Sequence, residues 1–210
     1  NTSGTFVSGW DFTEDINTYF RVAQGWKSGG FNGEAPTAAT FHEGYEPEEV
    51  VAYELGMKSR FLDDALQVNL AAFYNDISDM QVSIFLEGSG GAASNVKNAG
   101  EATAQGFEAE LVYQVVESLR LSANYGYLDT EYDKFEEGGV DVKDLKDVPY
   151  APENMVWIAG DWTIGTWSWG NLDLHVDWSY NDDYVPYIEP SQNATAQIDS
   201  YDVLNASLIL

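Results

Sequence analysis

Leu172-Asp173-Leu174-His175-Val176-Asp177-Trp178-Ser179-Tyr180 alternates an apolar with a polar residue without a break. A strand turns successive side chains to opposite faces, so this segment presents one apolar and one polar face. A helix would scatter the same residues around its circumference. The pattern returns along the chain. Leu66, Val68, Leu70, Ala72 and Tyr74 form one apolar row, and Phe107, Ala109, Leu111, Tyr113 and Val115 another. Leu119, Leu121, Ala123, Tyr125 and Tyr127 alternate with Arg120, Ser122, Asn124 and Gly126. No comparable stretch follows a helical period. The class is all-β.

The 210 residues carry 35 acidic against 9 basic side chains, a formal charge of −26. Such a field repels nucleic acid, which is excluded as a partner, and anionic lipid surfaces. Acidity alone would suggest disorder, but 14% aromatic content argues against it. With no cysteine there is no disulfide and no thiolate metal site. His42 and His175 lie far apart and match no metal-ligand spacing, so neither a metal nor a cofactor is expected. The longest clean apolar runs, as at 155–160, are about six residues, well short of the ~18 of a membrane helix.

The alternation predicts about nine strands, some much longer than the usual ~5–6 residues. They cover 4–12, 16–26, 49–61, 65–85, 97–115, 119–132, 154–163, 171–184 and 201–210. Tight polar turns fall at Thr13-Glu14-Asp15, Leu62-Asp63-Asp64 and Val116-Glu117-Ser118, with another short link at 164–170. Long connections cover 28–48, 87–96, 133–153 and 186–200. Short and long strictly alternate, so all short turns fall at one end of the sheet and all long loops at the other. Outer-membrane barrels are built this way. Trp10, Trp26, Tyr132, Trp162, Trp178 and Tyr184 are candidates for interfacial aromatic girdles. A secreted soluble β-sandwich binding carbohydrate through exposed aromatics explains the alternation equally well, its apolar rows packed on a second sheet. It gives no physical reason for sorting loops by length.

Trp26-Lys27-Ser28-Gly29-Gly30-Phe31-Asn32 closely resembles the aromatic-Lys-Ser-Gly-Gly-Phe-Asn segment of TonB-dependent outer-membrane receptors. Further motifs follow in family order. They are Tyr53-Glu54-Leu55-Gly56-Met57-Lys58-Ser59, Asn69-Leu70-Ala71-Ala72-Phe73-Tyr74, Asn98-Ala99-Gly100-Glu101-Ala102 with Gly106-Phe107-Glu108-Ala109-Glu110, Pro149-Tyr150-Ala151-Pro152, and Val203-Leu204-Asn205-Ala206. The resemblance covers roughly 16–206. It implies an antiparallel transmembrane barrel of 22 strands in the outer membrane of a Gram-negative bacterium. Residues 1–210 would be a partial barrel domain from its later part, an arc with open edges. The family's N-terminal plug, the box grasped by the inner-membrane TonB complex and the closing aromatic strand have no counterpart in these residues. The implied function is active uptake of a scarce small-molecule ligand such as a ferric siderophore, with outer-membrane lipid around the wall. Iron chelates, cobalamin, oligosaccharides and plant aromatics all remain open. No covalent chemistry is expected.

The candidate ligand-contacting residues lie in the Gly-rich 28–48 segment: Phe31, Asn32, Phe41, His42 and Tyr45, through stacking and amide hydrogen bonds. Lys27 and Lys58 are expected to pair with Glu54, Glu108 or Glu110 across the lumen wall. The acidic 133–153 connection lacks the Asp-x-Asp-x-Asp-Gly spacing of a calcium loop and reads as a solvated segment. Glu108 and Glu110 share a face about 7 Å apart, a separation that superficially suits a glycosidase pair. Same-strand carboxylates facing a wet lumen are ordinary, and no catalytic residue is assigned.

Overall fold

The computed structural model describes residues 2–33, 41–42, 44–85, 94–98 and 100–210. The strands are β1 (Gly4–Asp11), β2 (Ile16–Lys27), β3 (Glu48–Phe61), β4 (Leu66–Ser78), β5 (Gln81–Phe85), β6 (Ser94–Asn98), β7 (Gly100–Val116), β8 (Leu119–Glu137), β9 (Val140–Asp141), β10 (Asn154–Trp167), β11 (Gly170–Asn181) and β12 (Tyr201–Ile209). One antiparallel sheet runs β1-β2-β3-β4-β7-β8-β10-β11-β12, with β9 pairing only β8 and β5 pairing β6 separately. It is an up-and-down meander, and β1 and β12 each pair on one side only.

Two predicted strands are interrupted. The 65–85 strand divides into β4 and β5, and the 97–115 strand gives way to β6 and β7. The break has a backbone cause. Asp79 (φ 53°) and Gly100 (φ 131°) both take positive φ, and the Met80 N–H donates to the Gly100 carbonyl at 3.0 Å. A Cβ on Gly100 would lie 2.4 Å from the Lys134 carbonyl, so only glycine fits the kink. The β5–β6 hairpin therefore leaves the main sheet. β8 runs past the predicted end at 132 to Glu137, and β11 stops at Asn181 rather than 184. The predicted 164–170 link shrinks to Ser168-Trp169 between β10 and β11. Residues 86–93 of the predicted 87–96 connection lie outside the described residues.

The register assembles the apolar rows into one continuous face. Val68, Leu111, Ala123, Ile158, Trp178 and Leu204 are successive partners across β4, β7, β8, β10, β11 and β12. Below them run Leu66, Tyr113, Leu121, Gly160 and Val176. Nothing among the described residues covers this face: Leu55 is 58% exposed, Ile158 47% and Leu204 67%. The packed second layer of a sandwich is absent among the described residues, and an apolar wall of this kind is what hydrocarbon requires. Ser59, the polar residue in the row, is buried and donates its hydroxyl to the Val68 carbonyl at 2.6 Å. A bilayer demands that internal satisfaction.

The opposite face carries Asn17, Lys58, Asn69, Glu110 and Asn124 in register. Arg21 pairs Glu54 at 3.3 Å, Asn69 donates to Glu110 at 3.1 Å, and His175 meets Asp161 at 2.6 Å. Lys58 and Lys27 do not make the predicted pairs among the described residues. Arg21, directly opposite Glu54 in the ladder, occupies that carboxylate, and Lys58 lies 6.0 Å over the Tyr19 ring.

Trp10, Trp26, Trp162 and Trp178 stand on the apolar face as the girdle reading requires, Trp10 and Trp162 near the short-turn end. Tyr132 does not. It pairs Ala102 on the polar side and is 5% exposed beneath the long connections. Tyr184 lies outside the strands, bridged to Ile198.

Candidate ligand site at the outer end of the polar face

Every long connection leaves the sheet at the same end, and those that follow β4, β8 and β11 fold onto the polar face. Ile77, Ala102 and Tyr132 are neighbours across β4, β7 and β8 on that side. Over them pack Val82 and Phe135, with Met80, Val142, Val148 and Ile188 around the edge. Most of the buried apolar side chains among the described residues sit here, at the mouth of the wall rather than along it.

The connections after β8 and β11 are tied together. Asp147 N–H donates to the Ile188 carbonyl at 3.0 Å, and Tyr150 N–H to the Val185 carbonyl at 2.9 Å. Asn193, in a short helix Pro190–Asn193 and 5% exposed, donates to the Asp147 carboxylate at 2.8 Å and to the Tyr187 carbonyl at 2.7 Å. Its side-chain oxygen accepts the Tyr187 N–H at 3.1 Å. Lys146 bridges Glu189 (2.6 Å) and Glu137 (3.0 Å) with its ammonium over the Phe135 ring. Burial works against its charge, but the two carboxylate bonds outweigh it and raise its pKa above the ordinary value. The Asp141 carboxyl is held below the usual range by the backbone amides of Phe135 and Lys143. The acidic connection predicted to be merely solvated is thus internally bonded.

Between these segments and β5 lies a cavity of about 550 Å³, lined by Gln81, Tyr132, Glu137, Tyr150, Tyr187 and Glu189 among others. Its volume falls within the range of small-molecule sites. The Tyr132 hydroxyl is buried and has no hydrogen-bond partner among the described residues. Burial, and then the charge of Asp147, push its pKa up to about 12, so it stays protonated at physiological pH. A neutral phenol both donates and accepts, and its O–H proton in particular needs an acceptor. Tyr150 holds φ 57°, and its ring lies 6.1 Å from that of Tyr184.

The 28–48 segment forms a neighbouring feature. Residues 34–40 and 43 lie outside the described residues. Gly30 and Tyr45 exchange backbone hydrogen bonds at 2.8 and 2.9 Å. Phe31, 64% exposed, stacks on Phe41 at 5.8 Å, and His42 stands edge-on to Phe41 at 5.4 Å. Asn32 is placed differently from its companions: it is buried, and its amide clasps Val96 of β6, donating to the carbonyl at 3.0 Å and accepting the N–H at 2.7 Å. The Gln81 side chain donates to the Ser28 and Glu46 carbonyls at 3.0 and 3.1 Å, joining this segment to the cavity wall. Asn32→Ala removes both Val96 bonds, a loss of about 1–3 kcal/mol. The expected result is faster hydrogen exchange confined to β5–β6 and 28–33. Unchanged protection at Val96 would show that the clasp does not hold the hairpin.

The sequence alone assigns Tyr132 to an aromatic girdle and gives Lys146, Asn193 and Gln81 no role in a site. For Tyr132 a signal was present, since its even number opposes the odd-numbered apolar row of β8. The other three are recognisable only by their partners in distant segments. Glu108 and Glu110 lie on the polar face as expected, and no group of His, Asp and Glu among the described residues is arranged to hold a metal ion.

Comparison with known proteins gives a consistent picture. The family model described as TonB dependent receptor-like, beta-barrel matches residues 1–208. The pesticin receptor of Yersinia pestis is 32% identical over 129 residues, covering 61% of this chain and 18% of the receptor. The metal-pseudopaline receptor CntO of Pseudomonas aeruginosa is 31% identical over 124 residues, 59% of this chain and 16% of that protein. Among solved structures, the ferric yersiniabactin uptake receptor FyuA from Yersinia pestis superposes with a TM-score of 0.74 at 25% identity, covering 97% of this chain and 29% of the receptor. The chain spans less than a fifth of the length of these curated relatives. Their names are those of receptors, not of enzymes.

Proposed function

Because the chain belongs to the TonB-dependent receptor-like β-barrel family of the Gram-negative outer membrane, we propose that the protein containing it is an energy-coupled transporter for a scarce nutrient such as a ferric siderophore. Residues 1–210 form one wall of its barrel. The unpaired sides of β1 and β12 continue into further strands, since hydrocarbon tolerates no open edge. The observation that carries the reading is the two-faced sheet whose long connections fold over its polar face at one end. That arrangement gives lipid outside, a wet passage inside and a structured mouth above it.

The mouth supplies recognition. Phe31, Phe41, His42 and Tyr45 offer aromatic and polar contacts to an arriving ligand, and Asn32 holds their segment against β6. The names of the relatives, which include receptors for a metal-pseudopaline and for ferric yersiniabactin, support a metal chelate as the cargo. The inner-membrane TonB complex supplies the energy, acting through a part of the protein outside this segment. No bond is made or broken in the cargo, so the protein is not an enzyme.

The test is uptake of radioiron chelates by cells carrying the full-length gene as their only receptor. Accumulation is expected to fall to background when the energy transducer is deleted or the proton gradient is collapsed. Uptake that persists at the same rate without the transducer would refute the assignment.

A further inference from the structure

We infer that the cavity beneath the connections after β8 and β11 is a ligand subsite that accepts an uncharged or cationic metal chelate and rejects polyanionic ones. The inference rests on the transporter reading above and adds the charge class of the cargo.

The first support is a built, unfilled hydrogen-bonding position. A buried hydroxyl with no partner among the described residues needs an explanation, and Tyr132 lines a cavity of about 550 Å³. The phenol O–H has no acceptor among the described residues, and a carbonyl, hydroxamate or ring-nitrogen atom of a ligand would supply one. The second is charge. The ionised side chains on the lining are Glu137 and Glu189, and the cation between them, Lys146, is 5% exposed and bonded to both. Among the described lining residues there is no cation to meet an anion. Desolvating a polyanion beside these carboxylates would be costly. The chain's formal charge of −26 acts in the same direction at longer range.

The third is preorganisation. Tyr150 takes positive φ, its N–H donates to the Val185 carbonyl, and the residue stays 68% exposed at the cavity edge. A non-glycine residue in that conformation is strained and persists because its surroundings hold it. Tyr150 and Tyr187 then offer ring faces, which attract cations and planar ligands. The cavity lies on the polar side of the sheet at the end with the long connections, so a molecule held there stands at the entrance to the passage.

The test uses the full-length receptor in detergent and two probes of similar size, a monocationic ferric trihydroxamate and a trianionic ferric tris-catecholate. Titration calorimetry is expected to give at least ~10-fold tighter binding of the cationic complex. Tyr132→Phe, which removes only the hydroxyl, is expected to weaken that binding by about 5- to 10-fold. Glu189→Gln, at the exposed rim, is expected to narrow the preference by releasing part of the Lys146 charge. Tighter or equal binding of the tris-catecholate would overturn the inference, as would unchanged affinity in Tyr132→Phe. Binding of neither probe would also overturn it, whereas the transporter reading falls only if transducer-dependent uptake is absent.

Discussion

Leu111→Arg is expected to cost about 2–4 kcal/mol of folding free energy in a bilayer. Leu111 sits on the apolar face between Val68 and Ala123. At ~3.4 Å per residue and ~45° tilt it lies about 12 Å above the turn after β7, near the middle of a ~25 Å apolar band. No carboxylate lies in its row, so a guanidinium there must remain unpaired or deform the bilayer. Asn124→Arg makes the contrasting case. Asn124 is on the polar face opposite Glu110, and an arginine there gains a carboxylate within reach. It is expected to be neutral within about 0.5 kcal/mol. Urea unfolding of the full-length protein refolded into phosphatidylcholine vesicles reads both. Equal losses in the two variants would mean that the faces are not lipid and water, and the barrel orientation would have to be abandoned.

Gly106→Ala is expected to destabilise by about 1–3 kcal/mol, and Gly106→Val by more. Gly106 lies in β7, and a Cβ placed on it would come within 2.0 Å of the Tyr127 carbonyl of β8 and 2.9 Å of the Phe73 ring. The ring can rotate, but the carbonyl belongs to the ladder and cannot move without parting β7 from β8. Gly160→Ala is the control, because its Cβ would meet Leu121 at 3.5 Å, ordinary van der Waals contact. It is expected to be tolerated or slightly stabilising through the unfolded chain. The fraction of protein reaching the heat-resistant folded form in membranes distinguishes the two glycines. A Gly106→Ala variant that assembles as completely as Gly160→Ala would show that the close approach is relaxed in the membrane.

Much of the architecture was legible in the residues because a barrel wall has one simple requirement. Each strand must oppose lipid on one face and water on the other, and a period of two records that directly. Leu172 to Tyr180 and Leu119 to Tyr127 hold the rule through their spans, so strand identity, facing and adjacency followed from the alternation and from the loop lengths. The aromatic-Lys-Ser-Gly-Gly-Phe-Asn segment was equally readable, since Gly29 and Gly30 lie where the backbone of Tyr45 and its ring press close.

The mouth was not legible, and the reason is physical. Above the bilayer the two-faced requirement lapses, and loop residues are chosen by partners that are remote in the chain. Asn32 reads as a free amide until β6 is brought beside it, and Lys146 as a solvated charge until Glu189 arrives from the next connection. Asp79 and Gly100 lie inside runs that alternate well, yet their paired positive φ values turn β5 and β6 out of the sheet. Alternation along the chain determined the wall, because each strand meets its solvent locally. The tertiary structure alone decided the cavity, because its lining comes from the connections that follow β4, β8 and β11, and only the folding of those segments over the polar face sets Tyr132, with no hydroxyl partner among the described residues, in the same cavity wall as two carboxylates that share one lysine.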